Sequence, residues 1–386
     1  MEMKKYKLGD VLEEFHSGNN IKAADIKDVG EYPVFGANGL RGYTDRYNCD
    51  GDVAIIGRQG AYCGNVKFFS GKAYYTEHAV IAKPKKGFDA KYLACKLPFY
   101  QLEKYQGQSA QPGLSVGTLS LIEVELPSYE NQKEVALVLS ALDKRIENLR
   151  AQNRVLEQTA KTIYDYTFLQ CAGHQTTYNK TLNRNIPTNW EVKKLGDCLA
   201  SISTGLNPRQ NFTLGNGSIK YITVKNLTLD GSIDYSGCDF IDENARAKVH
   251  KRSNIKVGDI LFASISPLGR CYLIQEKPED WDINESVFSI SPADFTTSYY
   301  LYSFLRSKEF VAKAEQRATG SIFLGIRVDT LKKMEVLWPD SKTLGKFNAL
   351  IEPIFKKQLV NTKQIETLTT QRNTLLPLLM TGQVEV

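Results

Sequence analysis

The sequence repeats itself, and that constrains its architecture more than any local motif. KLGD at 7–10 recurs at 194–197, and GDVAI at 51–55 is answered by GDILF at 258–262. Glu77, leading into an apolar run, is answered by Glu285 before another, and Tyr92-Leu93 by Tyr300-Leu301. TLSLIEVELP at 118–127 lines up with TLKKMEVLWP at 330–339, an offset of 212 positions. These matches keep one order along the chain, so the 386 residues are expected to form two similar folding units.

Each copy ends in a proline followed by a segment that reads as a long helix. Between 129 and 170 there is neither Gly nor internal Pro, and Val135, Val138, Leu142, Ile146, Leu149, Leu156, Ala160 and Ile163 recur at spacings of three, four or seven. That is the apolar stripe of a helix packed along one face. The second copy, 341 to 380, carries Phe347, Leu350, Ile354, Leu368, Leu375 and Leu379 in a similar stripe. Pro353 is expected to kink or interrupt this helix and Pro377 to end it, because proline removes a donor and clashes with the preceding turn.

Forty helical residues reach roughly 60 Å, too far to bury a stripe on one compact neighbour. The natural partner is the other helix, and a chain that returns to begin a second globular domain favours an antiparallel pair. Asn153 interrupts the first stripe where a small polar residue can set register.

The remaining segments mix short β-rich runs (DVAIIG, HAVIAKP, DILFASI, SVFSISP) with turn residues and one helical stretch each. The expected fold is therefore α+β: two similar α/β domains, 1–128 and 186–340, joined by two long helices, 129–170 and 341–386 with its tail, in an antiparallel coiled coil. The polar segment 171–185 is expected to be a linker. Charged residues make up 24% and hydrophobic ones 42%, which excludes a disordered or collagen-like chain.

Reactive chemistry is conspicuously unpaired between the copies. His78 beside Glu77 is matched in the second copy by Ser286, so a structural or DNA-contacting histidine is favoured over a catalytic one. GRQGAYCG at 57–64 is not a dinucleotide fingerprint, and GNVKFFSGKA at 64–73 has the wrong spacing for a phosphate loop. The seven cysteines form no C-x-x-C pair, so no metal site and no disulfide framework is expected. No leader-like or membrane-spanning stretch is read, and a cytoplasmic location is expected. The pattern is that of a binder, and its net charge of +6 permits nucleic acid as the ligand without requiring it.

Two variable globular domains, each followed by a long helix, resemble the specificity subunits of Type I restriction-modification systems. IPTNWEVKKLGD at 186–197 is similar to that family's domain-opening motif, with Pro187, Trp190, Leu195 and Gly196 in place, and LPLLMTGQVEV at 376–386 looks like its closing segment. The first copy opens on MEMKKYKLGD and lacks the Pro and Trp. The resemblance implies a non-catalytic subunit with two target recognition domains, each reading half of a split sequence in double-stranded DNA. It implies helices that set the spacer, two modification subunits carrying S-adenosylmethionine, and restriction subunits in the cleaving complex. The chain itself is expected to bind no cofactor.

Arg reads guanine and Asn or Gln reads adenine through paired hydrogen bonds, while Lys, Ser and Thr hold phosphates. Loops rich in these residues give the expected DNA contacts: Asn38, Arg41, Arg58, Gln59, Gln108 and Gln111 in the first domain, and Asn207, Arg209, Lys225, Asn226, Arg317 and Ser321 in the second. An unread spacer of about five to eight base pairs is expected from the helix length. A scaffold that binds protein or glycan partners through two domains on a helical rod is the alternative, and steep loss of DNA binding with salt separates the two.

Overall fold

The computed structural model describes residues 2–107, 113–320 and 324–385. It divides into two units, Met1–Leu149 with Gln364–Val386, and Arg150–Lys363.

The first unit contains strands β1 (Lys4–Lys7), β2 (Leu12–Ser17), β3 (Tyr32–Gly36), β4 (Gly39–Thr44), β5 (Asp52–Gly57), β6 (Val66–Ser70), β7 (Tyr74–Tyr75), β8 (Ala79–Pro84) and β9 (Glu123–Leu126). A four-stranded sheet runs β2-β8-β5-β6, a three-stranded sheet β4-β3-β7, and β1 pairs with β9. After the exposed Asp52, β5 is apolar because both of its faces are covered. Ala54 and Ile56 join the core beneath helix α1 (Ala90–Lys96), while Val53 and Ile55 pack with Tyr75 and Ile81. Helix α2 (Val116–Ser120) precedes β9, and the long helix α3 (Tyr129–Tyr164) follows it for 36 residues before a π-helical turn at Asp165–Leu169.

The second unit repeats this plan. After a hairpin of β10 (Thr176–Asn179) and β11 (Arg184–Pro187) come β12 (Glu191–Lys194), β13 (Leu199–Thr204), β14 (Ile219–Ile222), β15 (Asp239–Ile241), β16 (Ile260–Ala263), β17 (Cys271–Leu273), β18 (Trp281–Ile283), β19 (Val287–Pro292) and β20 (Glu335–Trp338). The sheets run β13-β19-β16-β17 and β15-β14-β18, with β12 against β20, so every strand of the first unit has a counterpart in the same order. β3 pairs with β7, and β14 with β18, in parallel, while the other strand pairs are antiparallel. Helices α5 (Ser298–Leu305), α6 (Lys308–Arg317) and α7 (Val328–Lys332) lead to α8 (Ser341–Met380). Among the described residues, two features have no counterpart in the first unit: the β10–β11 hairpin and α4 (Glu243–Ser253), inserted between β15 and β16.

The sheets correct one sequence match. Ala54 pairs with Ala82 as Ile260 pairs with Ile290, so with Glu77 set on Glu285 the strand after Gly258 is displaced one place from the match GDVAI to GDILF. A one-residue slip exchanges the two faces of a strand, and the burial agrees: Ile260 and Phe262 face the core that contains α5, and Leu261 and Ala263 face the other way.

Helix segments run antiparallel within each unit. In the first, Val135, Ala136 and Leu139 share a core with Leu379 and Met380, and Asp143 of α3 lies between Lys91 of α1 and Arg372 of α8, at 2.5 and 2.6 Å. In the second, Ala160, Tyr164 and Phe168 pack on Phe347, Ile351 and Phe355, with the Phe168 and Phe347 rings 4.8 Å apart. The ends of both helices thus also complete the cores of the units.

Three expectations need correction here. Leu350 is 58% exposed and Ile351 is buried in its place, because the stripe of a straight 3.6-residue helix drifts from strict three-and-four spacing. Pro353 does not interrupt α8, which runs through it for 40 residues; Pro353 and Ala349, whose carbonyl loses its donor, are both on the exposed side where water serves. Pro377 lies in the last turn, as expected, and the helix ends at Met380. Within the expected linker 171–185, Cys171 and Leu182 are buried in the second core.

Of the remaining stripe residues, Val135, Ile146, Leu149, Phe347 and Leu379 are buried, and Val138, Leu142, Leu156, Ile163, Ile354, Leu368 and Leu375 are half-buried. No helix among the described residues is long and apolar enough to cross a membrane.

Candidate nucleic-acid interface

Backbone hydrogen bonds gather five loops of the first unit at one end of its four-stranded sheet. Gly18 N–H donates to Ala79 O, Arg58 N–H to His78 O, and Leu114 N–H to Arg58 O, each at 2.9 Å. Thr76 N–H donates to Phe35 O at 2.8 Å, which brings in the β3–β4 turn. The second unit builds the same cluster: Gly205 N–H donates to Asn284 O at 3.1 Å, Ser264 N–H to Ser286 O at 3.1 Å, and Ile326 N–H to Ser264 O at 2.9 Å.

Glycine is required at the heart of both. A Cβ on Gly18 would lie 2.1 Å from the Tyr75 carbonyl oxygen, and one on Gly205 1.7 Å from that of Ile283. The loop after β2 or β13 therefore presses its backbone against the end of β7 or β18.

The expected contact residues fall into different environments. Asn38 lies exposed in the β3–β4 turn, where its carbonyl accepts from Lys67 Nζ at 2.8 Å, and Arg41 is exposed on β4. Arg58 is half-buried, donating to Leu114 O at 3.2 Å and Ser17 Oγ at 3.3 Å, and Gln59 Oε1 lies 2.9 Å from His78 Nδ1. Asn207 Nδ2 donates to Glu285 Oε1 at 2.7 Å, and Arg209 beyond it is exposed. Lys225 is exposed and 3.9 Å from Asp239. Arg317, at the end of α6, pairs with Glu335 at 3.2 Å. Gln108, Gln111 and Ser321 lie outside the described residues.

Asn226 is a correction. It is 2% exposed, its Oδ1 accepts from the Thr223 backbone and hydroxyl at 2.9 Å, and its Nδ2 donates to Asp234 O. Its oxygen is engaged in a capping box with Thr223 and its nitrogen on Asp234, so in this structure it serves the local fold. Glu77 and Glu285 were the residues that sequence reasoning left unassigned. The internal repeat pointed at them, but as strand markers.

Helix α4 borders the second cluster. Lys248 Nζ donates to Asn211 O at 3.1 Å, and His250 Nδ1 lies 3.0 Å from Asp282 Oδ2. Burial pushes the Asp282 carboxyl up, against hydrogen bonds from Ser253, the Ile283 N–H and His250 that favour its charged form. Lys248, Lys251 and Arg252 are exposed on this helix. Among the described residues no group of three or more His, Cys, Asp or Glu is placed to hold a metal, and all seven cysteines are free thiols.

Residues 1–158 and 187–370 match the Type I restriction modification DNA specificity domain, one match for each repeat. The chain is 28% identical to the MjaIX specificity subunit of Methanocaldococcus jannaschii over 100% of its own length and 94% of that protein. It is 36% identical to the EcoprrI specificity subunit of Escherichia coli over 42% of the chain and 41% of that protein. A crystal structure of a Type I restriction-modification S subunit from M. genitalium shares the fold, with a TM-score of 0.67 at 17% identity, covering 98% of this chain and 96% of that one. The duplicated sheets, the paired long helices and the two family matches agree: the chain belongs to the Type I restriction-modification specificity subunits, the non-catalytic members of those systems.

Proposed function

We propose that the chain reads a bipartite DNA target, one half-site through each loop cluster, while α3 and α8 set the spacer and dock two modification subunits. S-adenosylmethionine is held by those subunits, and restriction subunits join them in the cleaving complex. The observation that carries this reading is the pair of loop clusters built on one strand topology but lined by different side chains: Arg58, Gln59 and His78 in the first, Asn207, Ser264 and Ser286 in the second. A shared scaffold with exchanged loop residues suits two sites of one chemical kind and different sequence.

Two further features support it. Exposed Arg41, Arg209 and the cations of α4 supply donors for phosphates. Asn and Gln amides held by neighbouring side chains are pre-organised for base edges.

The test is co-expression of the chain with its modification subunit, followed by sequencing of methylated adenines in host DNA. Methylation confined to one split sequence, whose two halves change separately when residues 1–128 or 186–340 are exchanged, supports the reading. Methylation without sequence preference, or a single contiguous target, defeats it.

A further inference from the structure

Equivalent glutamates follow the parallel strand of each repeat, Glu77 after β7 and Glu285 after β18. In both, Oε1 meets a polar side chain, and Oε2 is shut off from solvent without a hydrogen-bond partner. In the second unit that side chain is Asn207, whose Nδ2 donates to Glu285 Oε1 at 2.7 Å. An ionised carboxylate only accepts, so the amide must turn its NH2 toward Glu285 and its carbonyl oxygen away. Asn207 Oδ1 is then an acceptor with no donor anywhere around it.

The surrounding loop leaves Asn207 little choice of place. Gly205 is pressed against the Ile283 carbonyl, the Tyr221 hydroxyl donates to Leu206 O at 2.5 Å, and Lys248 holds Asn211 O from α4. Asn207 as a whole is half-exposed while its Oδ1 is shut off from solvent, so meeting a base requires the side chain to turn about its bond to Glu285.

We propose that Glu285 is a positioning residue that fixes Asn207 as a hydrogen-bond acceptor, so that the second domain takes a base whose major-groove edge carries an amino group, adenine or cytosine, at the position Asn207 reads. This rests on the DNA-reading role proposed above. The amino group of adenine N6 or cytosine N4 supplies the missing donor, whereas guanine O6 and thymine O4 set a second acceptor against Oδ1. In the first unit the equivalent glutamate acts through an imidazole: Glu77 Oε1 lies 3.3 Å from His78 Nε2, and His78 Nδ1 lies 2.9 Å from Gln59 Oε1.

The experiment uses the full chain assembled with its modification subunits and a duplex library randomised over the target, read by sequencing what is bound. Asn207→Ala identifies the position, as the one where preference disappears. At that position the wild type is expected to favour adenine or cytosine over guanine and thymine by roughly tenfold. Glu285→Gln, which can donate as well as accept, lets the amide stand either way round, and preference there is expected to fall to about twofold or less. The first half-site remains unchanged in every variant and reports that the chain is folded and assembled.

Guanine or thymine as the wild-type choice overturns the proposal, and this arm needs no variant at Glu285 to fold. Undiminished preference in an assembled Glu285→Gln complex overturns it too, as does an Asn207→Ala complex that selects the wild-type sequence. If the wild type enriches no sequence at all, it is the DNA-reading role itself that fails.

Discussion

Asn361, fully buried on α8, donates from Nδ2 to Asn153 Oδ1 on α3 at 2.9 Å, a buried polar contact between the two long helices. Thr362 Oγ1 and Gln358 complete the cluster, yet Asn361 Oδ1 finds no partner. Such a contact fixes register at a cost in stability. Replacing both asparagines by leucine is therefore expected to raise the unfolding free energy by about 1 kcal/mol. Under the proposed function it also relaxes the spacer, seen as methylated targets of more than one spacer length. A double variant less stable than the wild type in urea would refute this account.

Asp143 gives a pH-dependent test. Burial raises its carboxyl, but hydrogen bonds from Lys91 and Arg372 outweigh that and hold it below the usual range. A lowered folded pKa means that the stabilisation is complete above the ordinary Asp value of about 3.9 and is lost as pH falls through the folded value. Asp143→Asn is expected to cost about 1–3 kcal/mol at pH 7, with the gap to the wild type closing below about pH 4. Urea titrations at pH 7 and pH 3 measure both ends, and a gap that is constant with pH would show that charge is not the cause.

Two glycines should respond in opposite directions. Gly205→Ala drives a Cβ onto the Ile283 carbonyl and is expected to destabilise the second unit by more than about 3 kcal/mol. Gly345, within α8, has nothing within 4 Å of its Cβ position, so Gly345→Ala is expected to stabilise by about 0.5–1 kcal/mol. Thermal melts of the two variants decide the matter, and a tolerated Gly205→Ala would disprove the close approach.

Arg306, which caps the C-terminal end of α5, is nearly enclosed and bonds Glu157 of α3 at 2.6 Å, the Tyr302 hydroxyl at 2.7 Å and Leu229 O at 2.7 Å. Glu157→Ala leaves the guanidinium without its carboxylate and is expected to cost about 2–3 kcal/mol, while Glu157→Gln keeps an acceptor and costs less. Equal losses from the two variants, measured by denaturant unfolding, would argue that packing rather than charge dominates.

The duplication and the helix pair were legible because they rest on periodicity and on whole matched strings such as TLSLIEVELP and TLKKMEVLWP, whose strands β9 and β20 pair equivalently with β1 and β12. Short strings were less secure: GDVAI and GDILF match as text, but strand register depends on the partner strand, which the text does not contain. Pro353 misled because propensity says nothing of which side of a helix meets water. Asn226 and Asn207 looked alike in polar loops, and their fates were set by neighbours distant in sequence, Asp234 and Glu285. Helix α4 carries a weak stripe, with Ala245 and Val249 its only buried apolar residues, too few to announce it.

The placing of Leu379 and Met380 in the first core has a consequence for synthesis. Leu139, which they pack beside, leaves the ribosome 240 residues earlier, an interval of roughly 10–50 s at ordinary elongation rates. Throughout that interval the first repeat lacks the side chains that close its core and the Met380 carbonyl that Lys96 bonds at 2.5 Å. The second repeat, by contrast, has every one of its residues by Lys363. The repeat made first is thus closed last: a chain that stops short of Leu379 has the whole of its second repeat but lacks the two side chains and the carbonyl that seal the first.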